Sequence, residues 1–148
     1  MSSMKQSGRV SLLALGSVFC VVVIALLLFF SRESPVAAGT RFMVALQHHD
    51  VDTLTKMTKM EKASDEDIRK QWDFTVNQAE KYYQFGFRIA GSGQASDTTA
   101  SVKVQMIHDI DKPGAYEQLY ELPMVKDGDQ WKVDVRGLSR EFYNCLPR

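Results

Sequence analysis

The pattern of apolar and polar positions divides the chain into two parts. Val10–Phe30 is an unbroken run of 21 residues without a charged side chain, whereas apolar and polar residues are mixed throughout the rest of the chain. A helix of that length rises about 30 Å, which is the thickness of the hydrocarbon core of a bilayer. We therefore predict a transmembrane helix over residues 10–30, preceded by a short tail over residues 1–9.

The alternative interpretation of this run is a cleaved secretory signal. Lys5 and Arg9 precede the run, and Val36–Ala38 resembles a small-residue cleavage site. Signal peptides have apolar regions of about 7–15 residues, so the greater length of this run favours an uncleaved anchor. The tail carries basic residues and no acid, which predicts a cytoplasmic N-terminus and an extracytoplasmic domain on the periplasmic or cell-surface side.

The predicted span also contains small side chains. Gly16, Ser17 and Cys20 are of the kind that lets transmembrane helices pack closely against each other. The predicted partners of this single-pass chain are therefore the lipid bilayer and other membrane protein subunits.

After the span, apolar residues first recur every three to four positions, which predicts helices. Ser34 followed by Pro35 is typical of a helix start, and Asp50 or Asp52 can cap a second, shorter helix. Ser64, which is followed by three acids, opens a third helix. The apolar face of this third helix is formed by Ile68, Trp72, Val76, Ala79, Tyr82 and Tyr83.

From Phe85 onward the apolar period changes to two, the period of a half-buried strand. Four such segments lie at residues 85–89, 99–106, 116–125 and 131–136. They are separated by a turn region that contains Gly91–Gly93 and Ser96–Asp97, and by turns at Asp109–Gly114 and Asp127–Gly128. Helices followed by consecutive strands are the order of an α+β fold. We predict three helices followed by a four-stranded antiparallel sheet that curls around the third helix and buries Trp72.

Composition limits the functions that this domain can have. The domain is predicted over residues 31–136 with a C-terminal tail over residues 137–148, which is large enough for a modest core. All 18 acidic and 16 of the 18 basic residues follow Phe30, so the exported part carries a net charge of about −2. It contains no basic stripe, which argues against nucleic acid as a partner. Cys20 and Cys145 cannot meet in one folded chain, so Cys145 is either a quiet thiol or a point of cross-linking to another chain.

Three segments carry a resemblance to a known superfamily. They are Val36–Leu46 leading into HDVDTL, the helix that contains Trp72, and above all Leu122–Val135, LPMVKDGDQWKVDV. With these segments the chain resembles the nuclear-transport-factor-2-like (cystatin-like α+β) superfamily, and within it the small membrane-anchored exported type. The resemblance implies a cone between sheet and helix, and it covers both enzymes, such as isomerases, and non-catalytic scaffolds.

Isomerases of this superfamily place an Asp and a Tyr inside the cone. In this chain Tyr82, Tyr83, Tyr116 and Tyr120 could line such a cone, but no acid on a predicted inward face joins them. The resemblance therefore carries no catalytic residue over to this sequence.

The histidines have simpler structural interpretations. His48 and His49 are adjacent, so on a helix their side chains point about 100° apart and do not easily share a metal ion. His108–Asp111 precedes Pro113 and Gly114, which is the chemistry of a turn. The acidic runs lack the spacing of a calcium loop, and no phosphate-binding loop or nucleophile motif is present. We predict no catalytic residue, no metal ion and no cofactor.

Two functions are compatible with the sequence. The first is a non-catalytic accessory or scaffold subunit whose extracytoplasmic domain docks on a larger membrane protein complex. The alternative is a tethered cone that binds a small apolar molecule, or acts on it as an isomerase does. The residues predicted to line a pocket, or else to form the core, are Trp72, Phe85, Phe87, Tyr120 and Trp131.

Overall fold

The structure is a computed structural model that describes residues 21–23 and 33–148. Residues 21–23 are helical, and the rest of the predicted span, including Gly16, Ser17 and Cys20, lies outside the described residues. Within the described residues, no helix has the length and apolar character needed to cross a bilayer. The chain divides into two compact units, Met1–Arg32 and Glu33–Arg148, and the second contains the fold described below.

This unit begins with three α-helices: α1 (Pro35–Gln47), α2 (Val51–Met57) and α3 (Asp65–Phe74). Each starts where its capping residue predicts. The side chains of Ser34, Asp50 and Ser64 accept a hydrogen bond from the backbone N–H three residues later, which satisfies a donor of the first helical turn.

The third helix ends earlier than its apolar pattern predicts. A π-helical turn (Thr75–Ala79) follows α3, so Tyr82 and Tyr83 lie outside the helix. The Thr75 hydroxyl contacts two carbonyl oxygens, those of Gln71 and Cys145. The local widening therefore coincides with a tertiary contact to the C-terminal segment, which a helical period cannot predict.

Five strands form one sheet: β1 (Thr58–Lys59), β2 (Phe85–Gln94), β3 (Thr99–His108), β4 (Tyr116–Asp127) and β5 (Gln130–Asp134). Their order is β1-β5-β4-β3-β2. The prediction of four antiparallel strands was wrong in number, because β1 joins the edge of the sheet in parallel with β5. Two residues have no readable period, and their pairing depends on a strand more than 70 positions away.

Of the predicted turn region, Ser96–Asp97 lies in a turn, but the glycine-rich stretch Gly91–Gly93 does not. It continues β2 to Gln94, and the turn lies at residues 95–98. The register shifts between Ile89 and Gly91, which places a bulge at this point. A bulge inserts one extra residue and reverses the faces, so a strictly alternating pattern is lost there.

The helix that lies across the sheet is α1 and not the third helix that the sequence pattern favoured. α1 packs against β2, β3, β4 and β5, whereas α3 packs chiefly on α2 and on the π-helical turn. Gly39 permits this close approach, because a Cβ atom there would lie 3.2 Å from Val102 Cγ1. Trp72 of α3 is nevertheless fully buried, as predicted.

The C-terminal segment after β5 belongs to the same core. A short 3-10 helix (Val135–Gly137) follows β5. The four large apolar side chains of the segment beyond it are all buried: Leu138, Phe142, Tyr143 and Leu146. They belong to the hydrophobic core, where Phe142 lies edge-on to Tyr120 at 5.4 Å between ring centroids.

Candidate functional site

The five predicted pocket or core residues belong to one apolar core. Trp72, Phe85, Tyr120 and Trp131 are each at most 5% exposed, and Phe87 packs against them while partly exposed. The Trp72 indole lies edge-on to Phe42, and its Nε1–H donates to Thr58 Oγ1 at 2.8 Å.

The most unusual buried group is a histidine that was predicted to belong to a turn. His108 is the last residue of β3 and is 5% exposed, and it lies across from Phe85 of β2 and Tyr116 of β4. The apolar alternation of β3 predicts this position, because the inward residues Ala100, Val102, Val104 and Met106 lead directly to 108. The signal was in the sequence, but the polar side chain and the following Asp109 favoured a turn.

Three tyrosines surround this histidine, and we call the four residues the His108 cluster. The Tyr83 hydroxyl contacts His108 Nδ1, and the Tyr120 hydroxyl lies 3.1 Å from His108 Nε2. The third ring, Tyr116, stacks on the imidazole at 4.7 Å between centroids.

The hydrogen bonds of the cluster determine the tautomer. The Tyr120 hydroxyl donates to the Glu141 carbonyl oxygen at 2.9 Å, so it can only accept from His108. His108 Nε2 therefore carries the proton and donates to Tyr120, while Nδ1 accepts from the Tyr83 hydroxyl. In this neutral form the polar hydrogens of Tyr83, His108 and Tyr120 each have an acceptor.

Burial keeps the cluster uncharged. Desolvation lowers the pKa of His108 below its ordinary value, and the carboxylate of Asp109 opposes this shift only in part. Burial also raises the pKa of Tyr120 to about 12, with further contributions from Tyr116 and Glu141. The pKa of Tyr83 is raised as well, first by burial and then by the charge of Asp109.

The pKa of His108 predicts how stability depends on pH. The unfolded chain takes up this proton as the pH falls through about 6.5, whereas the folded chain resists it to lower pH. We therefore expect stability to be lost as the pH falls from about 7 to 5, and His108→Gln to flatten that loss. Urea unfolding at several pH values measures this, and an unchanged pH slope in His108→Gln would contradict it. His49, whose pKa burial also lowers, contributes with the same sign in both proteins.

Two clefts lie beside the cluster. The larger, of about 630 Å³, lies between the end of α1 and the segment before β2, and it is bordered by His48, His49, Tyr82, Phe85 and Ile110. The smaller cleft, of about 270 Å³, lies on the other side of Tyr83, between the end of β3 and the C-terminal segment. Among the residues that the structure describes, no three metal-binding side chains come together.

We call the smaller cavity the aromatic–acid cleft because of the side chains that line it. Its carboxylates belong to Glu80, Asp109 and Glu141, and its rings to Tyr83, His108, Tyr116, Phe142 and Tyr143. Lys112 is its one cationic side chain, and its ammonium pairs with Asp109 at 2.8 Å. With three carboxylates and one ammonium, the cleft has a negative electrostatic potential.

The Tyr143 hydroxyl in the wall of this cleft has no hydrogen-bond partner within the described part of the chain, although the side chain is 2% exposed. A buried polar group without a partner costs about 1–3 kcal/mol. We therefore expect Tyr143→Phe to leave stability unchanged or raise it by about 1 kcal/mol, measured by urea unfolding. Tyr120→Phe is the matched control, because it removes a bonded hydroxyl and should destabilise the fold.

Comparison with known proteins supports the fold. Neither a protein-family model nor a curated protein matches the sequence. Among solved structures, a putative calcium/calmodulin-dependent protein kinase type II association domain from Thiobacillus denitrificans is 12% identical, with 68% of this chain and 89% of that chain covered and a TM-score of 0.50. An NTF-2 like protein of unknown function from Shewanella oneidensis is 13% identical, with coverage of 66% and 89% and a TM-score of 0.47.

A putative NTF2-like transpeptidase from Campylobacter jejuni is also similar, at 14% identity, coverage of 68% and 97%, and a TM-score of 0.48. At these identities the likeness concerns the fold and not the activity. The likeness to NTF2-like structures is one of fold, and membership of the superfamily stays a prediction.

Proposed function

We propose that this chain is a membrane-tethered, non-catalytic accessory subunit, and that its α+β domain docks on a larger membrane protein complex through the outer face of its sheet. The observation that carries the proposal is an apolar surface on that face, which we call the outer sheet patch. It consists of Gly86, Ile107, Ile110 and Leu119.

Gly86, Ile107 and Ile110 form the contiguous part of the patch. A Cβ atom at Gly86 would lie 3.5 Å from Ile107 Cδ1 and 3.7 Å from Ile110 Cγ2, so both isoleucines meet over the glycine. Leu119 faces outward from β4 opposite Gln105, two residues along the strand from Glu117, which is opposite Ile107. Ile110 is 48% exposed and Leu119 is 55% exposed. Exposed apolar residues grouped on one face of a domain are a basis for proposing an interaction site there.

A fixed polar row lies between Leu119 and the rest of the patch. Arg88 donates to Gln105 Oε1 at 2.6 Å, and Gln105 in turn contacts the Glu117 carboxylate. Arg88 also pairs with Glu117 at 3.5 Å. This face therefore presents apolar side chains together with an ordered polar row, and protein interfaces combine both kinds of surface.

The His108 cluster favours a non-catalytic role. A general base needs a nitrogen that can accept a proton from a substrate. Both nitrogens of His108 are engaged by tyrosine hydroxyls, and the tyrosines themselves are held neutral. The hydrogen bonds of the cluster therefore favour a structural role, in which they hold this end of the sheet rigid.

The second candidate function is the binding of a small molecule at the open end of the cone. The cleft of about 630 Å³ supports it, because this volume lies within the usual range of ligand pockets. Of the residues predicted to wall an apolar pocket, Phe85 borders this cleft, while Trp72, Tyr120 and Trp131 are packed in the core. This favours the docking role over the apolar ligand.

Extraction in a mild detergent tests the docking proposal. The native chain should elute in a complex with other proteins, and Leu119→Lys should release it as a folded protein. Phe74→Lys is the matched control, because Phe74 is 51% exposed on α3 and should not affect the complex. Elution of the native chain as a monomer, or only with copies of itself, would contradict the accessory role.

A further inference from the structure

The aromatic–acid cleft has a chemistry that the docking proposal does not use. We propose that it binds the ammonium group of an organic amine, either a free alkylamine or a lysine side chain. The inference concerns the opposite side of the sheet from the outer sheet patch, and it does not depend on the proposed function.

The charges of the cleft favour a cation. Glu80, Asp109 and Glu141 contribute three carboxylates, and Lys112 neutralises only Asp109, which it contacts at 2.8 Å. Glu141 accepts a hydrogen bond from Gln118 at 3.2 Å, which leaves its charge in place. Within residues 33–148, Glu80 forms no ion pair.

The ionisable side chains of the cleft respond to the same field. The pKa of the Lys112 ammonium is raised, first by its hydrogen bond to Asp109 and then by charge, with Glu80 among the contributors. Glu80 also raises the pKa of Tyr143, after the larger effect of burial. Positive charge is thus favoured at this place and negative charge disfavoured.

The aromatic rings of the cleft supply the second part of an ammonium site. Tyr83 and Tyr143 meet edge to face at 5.5 Å between centroids in its wall. One face of the Tyr116 ring stacks on His108, and much of the rest of the ring is open because Tyr116 is 51% exposed. Cations within about 6 Å of a tyrosine face are attracted by the ring, and carboxylates beside such rings strengthen the attraction.

The size and the unpaired hydroxyl fit the same ligand. A cavity of about 270 Å³ admits a small alkylamine or the end of a lysine side chain, but not a large cofactor. Tyr143 lines the cleft, and its hydroxyl is buried without a hydrogen-bond partner among the described residues, so an ammonium that reached it would supply the missing donor.

Titration of the isotope-labelled full chain in detergent tests the proposal. The probes are n-butylammonium and N-acetyl-lysine amide, and n-butanol is the neutral control of the same shape. We expect saturable NMR shifts of the amides of residues 109–112 and 142–144 with both amines and none with butanol. Similar affinities assign recognition to the ammonium alone, whereas a clear preference for the lysine amide identifies a peptide side chain as the source.

Variants separate this site from unspecific binding of cations. Glu80→Gln and Glu141→Gln should each weaken amine binding by about threefold to fivefold, and Lys112→Met, which removes the competing ammonium, should tighten it by a similar factor. Glu121→Gln, an outward carboxylate on β4, is the matched control and should change nothing. Equal shifts with butanol, or an affinity unchanged in both Lys112→Met and Glu141→Gln, would overturn the proposal even if Glu80→Gln fails to fold.

Discussion

Trp72→Ala should lower the free energy of unfolding by about 3–5 kcal/mol, the usual cost of removing a large aromatic side chain from a core. Trp72 is 0% exposed and lies edge-on to Phe42 with 5.9 Å between ring centroids. It also connects α3 to the start of β1, because its Nε1–H donates to Thr58. A small side chain at this position leaves a cavity between the helices and removes that connection.

Urea unfolding measures this loss, and the chain supplies its own probe. Trp131, which is 4% exposed, remains in the variant and reports unfolding by its fluorescence. Trp72→Phe keeps most of the packing and should cost clearly less than Trp72→Ala. Phe74→Ala, in which a 51% exposed ring on the same helix is removed, should change stability by less than about 0.5 kcal/mol. A cost below about 1 kcal/mol for Trp72→Ala would show that Trp72 does not hold the helices to the core.

Deletion of residues 137–148 should prevent the domain from folding. Leu138, Phe142, Tyr143 and Leu146 are buried, and burial of each large apolar side chain contributes about 1.5–3 kcal/mol. Their sum is comparable to the whole stability of a domain, which is about 5–15 kcal/mol. The sequence pattern predicts this segment as a tail outside the strands, but in the structure it is part of the core.

Circular dichroism and urea unfolding of the truncated and full chains measure this effect. Phe142→Ala should reproduce part of it, at about 3–5 kcal/mol, because Phe142 is fully buried against Tyr120. Arg140→Ala, an exposed neighbour, is the control and should leave stability within about 0.5 kcal/mol. A truncated chain that unfolds cooperatively with nearly full stability would contradict the role of this segment.

The helix starts could be predicted because they depend on neighbouring residues. Ser34, Asp50 and Ser64 cap helices through bonds that span three residues, so the sequence contains the whole interaction. The long strands could be predicted for a similar reason, since their alternation records one buried face. The features that could not be predicted depend on contacts between distant parts of the chain. These are the pairing of β1 with β5 and the contact of the π-helical turn with Cys145.

The site was harder to predict than the fold. The residues of the site come from the segment before β2, from β3 and β4, and from the C-terminal segment, and only the folded sheet brings them together. They are Tyr83, His108, Tyr116, Tyr120 and Glu141. The alternation of β3 placed His108 on the inward face, but its partners depend on the register of β4 and on the path of residues 137–148. The sequence pattern therefore indicated that His108 is buried, whereas its hydrogen bonds depend on the folded arrangement of the chain.

Photo-cross-linking in native membranes tests most directly whether this domain is an accessory subunit that docks through its sheet. A photoreactive residue at position 119, in the outer sheet patch, should form cross-links to another membrane protein, and the same residue at position 74, on α3, should not. Cross-links from position 74 alone, or no product from position 119 at native expression, would contradict docking through the outer face of the sheet.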